Sequence, residues 1–192
     1  MGRNKRLSAE ERKKSIKEAA ARVFVAQGFA HTTMEDLIRE SGLSKGGFYH
    51  YYKSTTDVIY DMMLDGIAYR NTVIKSSLPL GKTAETDFIA EELTKKVSDT
   101  TILSSVYVEF LLAKKRNAKL EEIYGQLERI TIDSFAAMDV NLPELKVPAE
   151  RTEFLGFFIN SMILGVNILS GSKTVHEHHD LIRTMFRMIL LQ

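Results

Sequence analysis

The stretch that decides the fold is Thr33-Met-Glu-Asp-Leu-Ile-Arg-Glu-Ser-Gly-Leu-Ser-Lys-Gly-Gly-Phe-Tyr-His-Tyr-Tyr-Lys53. Thr33 can cap a helix with Asp36 three residues on, Leu37 and Ile38 turn inward, and Gly42 supplies the left-handed residue that ends it. A second helix starts at Ser44. So short a connection fits two helices that cross steeply. In that geometry the second helix enters the major groove of duplex DNA while the first spans the backbone.

The second helix is poorly built for its own stability, since Gly46 and Gly47 each cost about 1 kcal/mol against alanine in a helix interior. Two explanations stand open. Without side chains the backbone can approach a phosphate or base edge, with Lys45, Tyr49, His50 and Lys53 supplying donors and cations around the bare patch. Alternatively, the glycines only let two helices cross. The flanking basic and aromatic residues favour the groove, because packing leaves them unexplained.

At these residues the chain resembles the TetR family of transcriptional regulators, whose DNA-binding domains carry a serine, a glycine two residues on, then a tyrosine and further aromatics. Ser44, Gly46, Tyr49 and Tyr52 match. Phe24, Gly28, Thr33, Leu37, Ser41 and Gly42 extend the resemblance over roughly Ile16 to Ile59. The family often has histidine where this chain has Tyr51, and lysine where Thr55 stands at the start of the fourth helix. The resemblance implies repression of transcription, a phosphate contact near Thr55, an inducer site between helices four to eight and a four-helix dimer interface. The candidate DNA contacts are Thr33, Ser44, Lys45, Gly46, Gly47, Tyr49, His50, Lys53 and Thr55.

Charge is distributed in the way this reading needs. The chain of 192 residues is nearly neutral at +1, yet residues 1–56 hold 11 Lys/Arg against 6 Asp/Glu, leaving 15 against 19 in the remainder. A basic end on an otherwise acidic chain suits a phosphate-binding module joined to a module with another partner. Arg3, Lys5 and Arg6 read as a disordered arm near the minor groove, against the plainer reading of a solvated tail. A hydrophobic content of 44% is enough for a core. The lack of cysteine excludes a disulfide framework and a thiolate metal site and is compatible with a reducing cytoplasm, the expected location. The basic start has no apolar core behind it, so it does not read as a signal peptide. The longest apolar run, Phe154 to Leu169, is broken by Asn160, Ser161 and Asn167, short of a membrane span.

Helical periodicity dominates and no alternating strand pattern appears, so the chain is expected to be all-α. A helix-turn-helix DNA-binding domain is placed at residues 1–55, and a helical ligand-binding and dimerisation domain at 56–192. Helix one is predicted at Ala9–Gln27, with Ile16, Ala19, Ala20, Val23 and Phe24 as its apolar stripe and Gly28 as its end. The fourth to ninth helices are predicted at Thr56–Ser76, Thr83–Val97, Thr101–Arg116, Ala118–Asp139, Ala149–Leu169 and His176–Leu191. Pro79, Pro143 and Pro148 fall between them, where a missing backbone donor does no harm.

The last two helices are apolar over more of their circumference than a surface helix needs. Phe154, Phe157, Phe158, Met162, Ile163 and Val166 lie on one; Leu181, Ile182, Met185, Phe186, Ile189 and Leu190 lie on the other. A second copy of the chain would cover the excess, and Gly156 and Gly165 would permit close approach there. The plainer alternative buries both helices within one subunit. A homodimer would present two reading helices about 34 Å apart to a near-palindromic site.

Phe88, Tyr107, Phe110, Tyr124, Phe135 and Met138 recur at helical spacings that suit either ordinary core or a cavity. The resemblance turns the reading toward a pocket for an apolar or flat small-molecule inducer. Asn160 and Asn167 would orient that ligand or bond across the dimer. Glu109 interrupts an apolar turn and is expected to pair with a neighbouring lysine rather than with a cationic ligand. Only His176 and His179 of the histidine-rich stretch share a helix face, which is weak for a metal, so no metal or cofactor is expected. An enzyme is disfavoured by the lack of a glycine-rich phosphate loop, a nucleophile elbow or a paired metal motif. A further alternative is an architectural DNA-binding protein that needs no effector. In the favoured scheme a ligand moves the fourth helix, with Val58, Ile59 and Met62 packed on the reader, and spoils operator spacing.

Overall fold

Ser8 opens the first helix by a reciprocal cap: its hydroxyl accepts from the Glu11 N–H at 3.1 Å, and the Glu11 carboxylate accepts from the Ser8 N–H at 2.7 Å. The computed structural model describes residues 8–77, 86–136 and 149–191, with side chains except at 135, 136, 149 and 150. Every regular element among the described residues is helical.

Helix α1 (Ala9–Gln27) buries Ile16, Ala19, Ala20 and Phe24. Gly28 ends it at φ +82° and ψ 150°, a backbone conformation all but reserved for glycine. A 3-10 turn (Phe29–His31) leads to α2 (Met34–Ser41). Thr33 and Asp36 form a second capping box there, and Gly42 stops α2 in the left-handed conformation at φ +66°. Helix α3 (Lys45–Tyr49) follows on its Ser44 cap, and α4 (Thr55–Ser77) follows that. The remaining helices are α5 (Thr86–Ser98), α6 (Ile102–Lys114), α7 (Ala118–Ala136), α8 (Ala149–Ile168), α9 (Ser172–Glu177) and α10 (His179–Leu191).

The chain divides into two compact units, one made of Met1–Gly66 with Glu109–Leu127, the other of Ile67–Val108 with Glu128–Gln192. Fully buried side chains of the first include Ile16, Phe24, Leu37, Phe48, Ile59, Met62, Phe110 and Leu120. The second is built round Phe186, which meets Phe158 edge-on at 5.2 Å and shares a core with Ile89, Ala90, Val97, Ile163, Val166, Val175 and Ile182.

One expected helix is two. The segment predicted as His176–Leu191 starts earlier, at Ser172, and breaks at His178 (φ −113°, ψ 27°), so that α9 and α10 are separate. Buried Val175 holds the short α9 in place, a packing effect that local propensity does not carry. Pro79, Pro143, Pro148 and the basic residues Arg3, Lys5 and Arg6 lie outside the described residues.

Candidate nucleic-acid interface

The reader helix α3 is anchored by one residue and offers the others. Phe48 is completely buried and lies 6.3 Å from the ring of Tyr52, while Ser44, Lys45, Gly46, His50 and Lys53 are exposed and Gly47 and Tyr49 are half-buried. A five-residue helix with a single buried anchor has little stability of its own, so its cap matters. The Ser44 hydroxyl accepts from the Gly47 N–H at 3.2 Å.

The two glycines have different reasons. A Cβ on Gly47 would lie 3.1 Å from Ser44 Oγ and press on the capping hydroxyl, so this glycine serves the cap. A Cβ on Gly46 would meet no other atom within 4 Å. Helix crossing within the protein therefore does not explain Gly46, and its bare, exposed backbone leaves room for something outside the chain.

The cations around this patch are held by weak or replaceable partners. Lys45 Nζ sits 3.9 Å from Glu35 of α2 and 6.0 Å from the centre of the Tyr49 ring, with most of its side chain in solvent. The Lys53 ammonium folds back on the Tyr49 carbonyl, closing the C-terminal end of α3, while its backbone N–H donates to Asp57 at 3.0 Å. His50 meets Tyr51 edge-on at 5.0 Å. Thr33 spends its hydroxyl in the cap, donating to Asp36 at 2.7 Å, and Thr55 is the half-buried first residue of α4. The Thr33 backbone N–H, then its hydroxyl, Arg39 and Gln27 hold the Asp36 carboxyl well below the usual carboxylate range.

Two supports of the reader escape inspection of the sequence. The first is a polar cluster beneath it: the Tyr52 hydroxyl donates to Asp61 at 2.5 Å, and Lys13 and Lys17 of α1 reach the same carboxylate at 3.5 and 3.6 Å. Burial pushes the Asp61 carboxyl up, but the Tyr52 hydroxyl and the charges of Lys17 and Lys13 outweigh it and leave it lowered. Burial, and then the bond to Asp61, push the Tyr52 hydroxyl up. The second support corrects an expectation. Among the described residues Glu109 pairs with no lysine; its carboxylate accepts from the backbone N–H of Phe29 at 3.2 Å, in the turn between α1 and α2. That N–H lies at the start of a 3-10 turn, where no helical carbonyl reaches it, and the carboxylate fills the gap. Glu109 also passes 3.2 Å from where a Cβ on Gly28 would be, so Gly28 is fixed both by its φ and by this neighbour.

Residues 16–61 match the family model described as bacterial regulatory proteins, tetR family. The chain carries a tetR-family domain. The match spans α1 from Ile16 and all of α2 and α3, so the exposed reader and its two supports lie within or against that tetR-family domain.

Over a longer stretch, the chain is 29% identical over 131 residues to an HTH-type transcriptional regulator of Bacillus subtilis, YfiR, covering 67% of this chain and 64% of that protein. It is also 22% identical to YxaF of the same organism, over 85% of this chain and 86% of YxaF. The matched stretch thus spans just under two thirds of YfiR. Two solved structures share the whole fold. Salmonella enterica GusR superposes with a TM-score of 0.78 at 19% identity, over 97% of this chain and 99% of GusR. The fatty acid degradation regulator FadR of Bacillus halodurans gives 0.70 at 11% identity, over 95% and 97%.

The residues expected to line a ligand cavity are drawn from both units. Phe110 and Tyr124 belong to the first unit, with ring centres 6.4 Å apart and the Lys114 ammonium 4.1 Å above Tyr124. Phe88, Tyr107 and Asn160 belong to the second, where the Tyr107 hydroxyl donates to Asn160 at 2.8 Å and Phe88 packs on the core. Met138 and the side chain of Phe135 lie outside the described residues. Asn167 is engaged within its own chain, accepting from Ser104 at 3.3 Å and donating to the Ile163 carbonyl at 2.9 Å. Among the described residues no group of three or more His, Cys, Asp or Glu could hold a metal ion, and no helix is long and apolar enough to cross a membrane.

Proposed function

We propose that this protein is a homodimeric, sequence-specific DNA-binding regulator of transcription, a repressor that occupies a near-palindromic operator and leaves it when a small, largely apolar ligand binds. The observation that carries the reading is the construction of α3: Phe48 is buried and Ser44 caps the helix, while Lys45, Gly46, His50 and Lys53 are exposed among the described residues. The tetR-family domain and the names of YfiR and YxaF as transcriptional regulators support it.

The roles divide by chemistry. Lys53 and the start of α4 near Thr55 suit phosphates, which position the protein without reading sequence; Lys45, Tyr49 and His50 suit base edges. Selection of bound sites from a random DNA pool, followed by footprinting, tests this directly, and a failure to enrich any inverted repeat would overturn it. Lys53→Ala is expected to weaken binding evenly across sequences and lower the salt slope by about one unit. Lys45→Ala should instead cost about 1 to 3 kcal/mol at one base pair and blur discrimination there.

For release, a ligand with an apolar body and one polar tip suits Phe88, Tyr107 and Asn160. A coupling of about 1 to 3 kcal/mol corresponds to a 5- to 150-fold fall in operator affinity at saturation. An inducer that binds tightly and leaves operator affinity unchanged would reduce the protein to an effector-independent DNA binder.

A further inference from the structure

The second unit contains a groove of about 430 Å³ with charged groups of both signs on its walls. Glu92 of α5 lines it and is only 3% exposed. Its Oε1 accepts from Lys95 at 2.8 Å, but its Oε2 is buried and has no hydrogen-bond partner among the described residues. A carboxylate oxygen removed from water and left unpaired is costly, and such a group is kept where something supplies the missing donor. Lys95 does not finish the task, since it is shared with Glu91 at 3.7 Å and half its side chain is in solvent.

Another part of the lining has the complementary deficit. Arg70 of α4 lines the same groove, and its paired carboxylate, Asp99, stands off at 4.0 Å, the loose end of an ion pair. Burial, and then the Arg70 charge, press the ammonium of neighbouring Lys96 down to about 8. A cation alone would meet Arg70 and Lys95; an anion alone would leave Glu92 as it is.

The geometry points to a binding site for a small zwitterion, a free α-amino acid or dipeptide, whose ammonium donates to Glu92 and Asp99 and whose carboxylate is held by the Arg70 guanidinium. The groove volume suits a molecule of that size. Its lining includes none of Phe88, Tyr107 and Asn160, and it stands or falls without any statement about DNA.

The test is a calorimetric titration of the full-length protein, without DNA, with the twenty free amino acids and glycylglycine. At least one is expected to bind. Putrescine and acetate, each carrying charge of one sign, should bind it about tenfold more weakly or worse, as should Glu92→Gln and Arg70→Gln variants, each having lost a charge-assisted bond. Lys173→Ala, at an exposed position of α9, should bind as the parent does. Each variant is checked by its melting temperature alone, because a merely structural Glu92 predicts a lower melting point with affinity unchanged. Absence of binding across the whole panel, or full affinity in both the Glu92 and the Arg70 variant, would overturn the assignment.

Discussion

At the scale of single residues, Gly46 and Gly28 are opposite cases. Gly46 sits in a helix with open space where a Cβ would go. Gly46→Ala should therefore raise folding stability by about 0.5 to 1 kcal/mol, through helix propensity and a less flexible unfolded chain. If the bare backbone approaches DNA, the same change lowers operator affinity. Urea unfolding and fluorescence anisotropy on one preparation check both signs, and a stabilised variant with undiminished affinity would remove Gly46 from the interface. Gly28→Ala offers no such gain. Its φ of +82° and the Glu109 carboxylate 3.2 Å away both oppose a methyl, so the expected cost is about 1 to 3 kcal/mol. Glu109→Ala should weaken the same turn by leaving the Phe29 N–H without its acceptor, and Glu109→Gln, whose amide oxygen can accept, should recover most of the loss. Equal stability of the alanine and glutamine variants would show that the bond contributes nothing.

At the scale of elements, caps explain both what the sequence reveals and what it hides. The stop of α1 and both ends of α2 were legible because Gly28, Thr33 and Gly42 each act within three or four residues of where they stand. The α9–α10 break and the Glu109 bond were not, because Val175 is held by distant packing and Phe29 and Glu109 are 80 residues apart in the chain. The exposed face of α3 was readable from residue types alone, while the Tyr52–Asp61–Lys17 cluster that supports it depends on α1, α4 and the connection between α3 and α4 meeting. The α2 cap yields a pH prediction. The Asp36 carboxyl is lowered on folding, so its contribution is present above the ordinary carboxylate value and is lost as pH falls through the folded value. Asp61, also lowered, acts in the same direction. Stability should therefore decline below about pH 4. Thr33→Ala removes the hydroxyl, the second cause of the Asp36 shift, and leaves the backbone N–H in place. It should cost about 1 kcal/mol at neutral pH and give a shallower decline below about pH 4, measured by chemical denaturation at stepped pH.

At the scale of the whole molecule, a single chain leaves too much apolar surface uncovered on its last helices. Leu181, Met185 and Met188 form one exposed stripe along α10, at spacings of four and three, while Ile182, Phe186 and Leu190 on the same helix are buried. On α8, Phe154 and Phe157 are 52% and 67% exposed, with Ile163 and Val166 turned inward. Gly156 and Gly165 have open space at their Cβ positions, so another helix can come close there. A two-fold axis would bring each such residue to the interface twice, and a single charge introduced on the stripe would be buried twice. Phe157→Glu should accordingly leave the folded chain within about 0.5 kcal/mol of the parent, because the side chain is largely in solvent before association. It should nevertheless convert the proposed dimer to monomer in sedimentation velocity. Val25→Glu, which places the same charge on an exposed position of α1, should remain dimeric. Since one reader contacts only half of an inverted repeat, the monomeric variant should also lose most of its preference for an operator over random DNA while keeping a salt-dependent, sequence-independent affinity. A Phe157→Glu protein that still sediments as a dimer would put the interface elsewhere and leave the stripe on α8 and α10 to another partner.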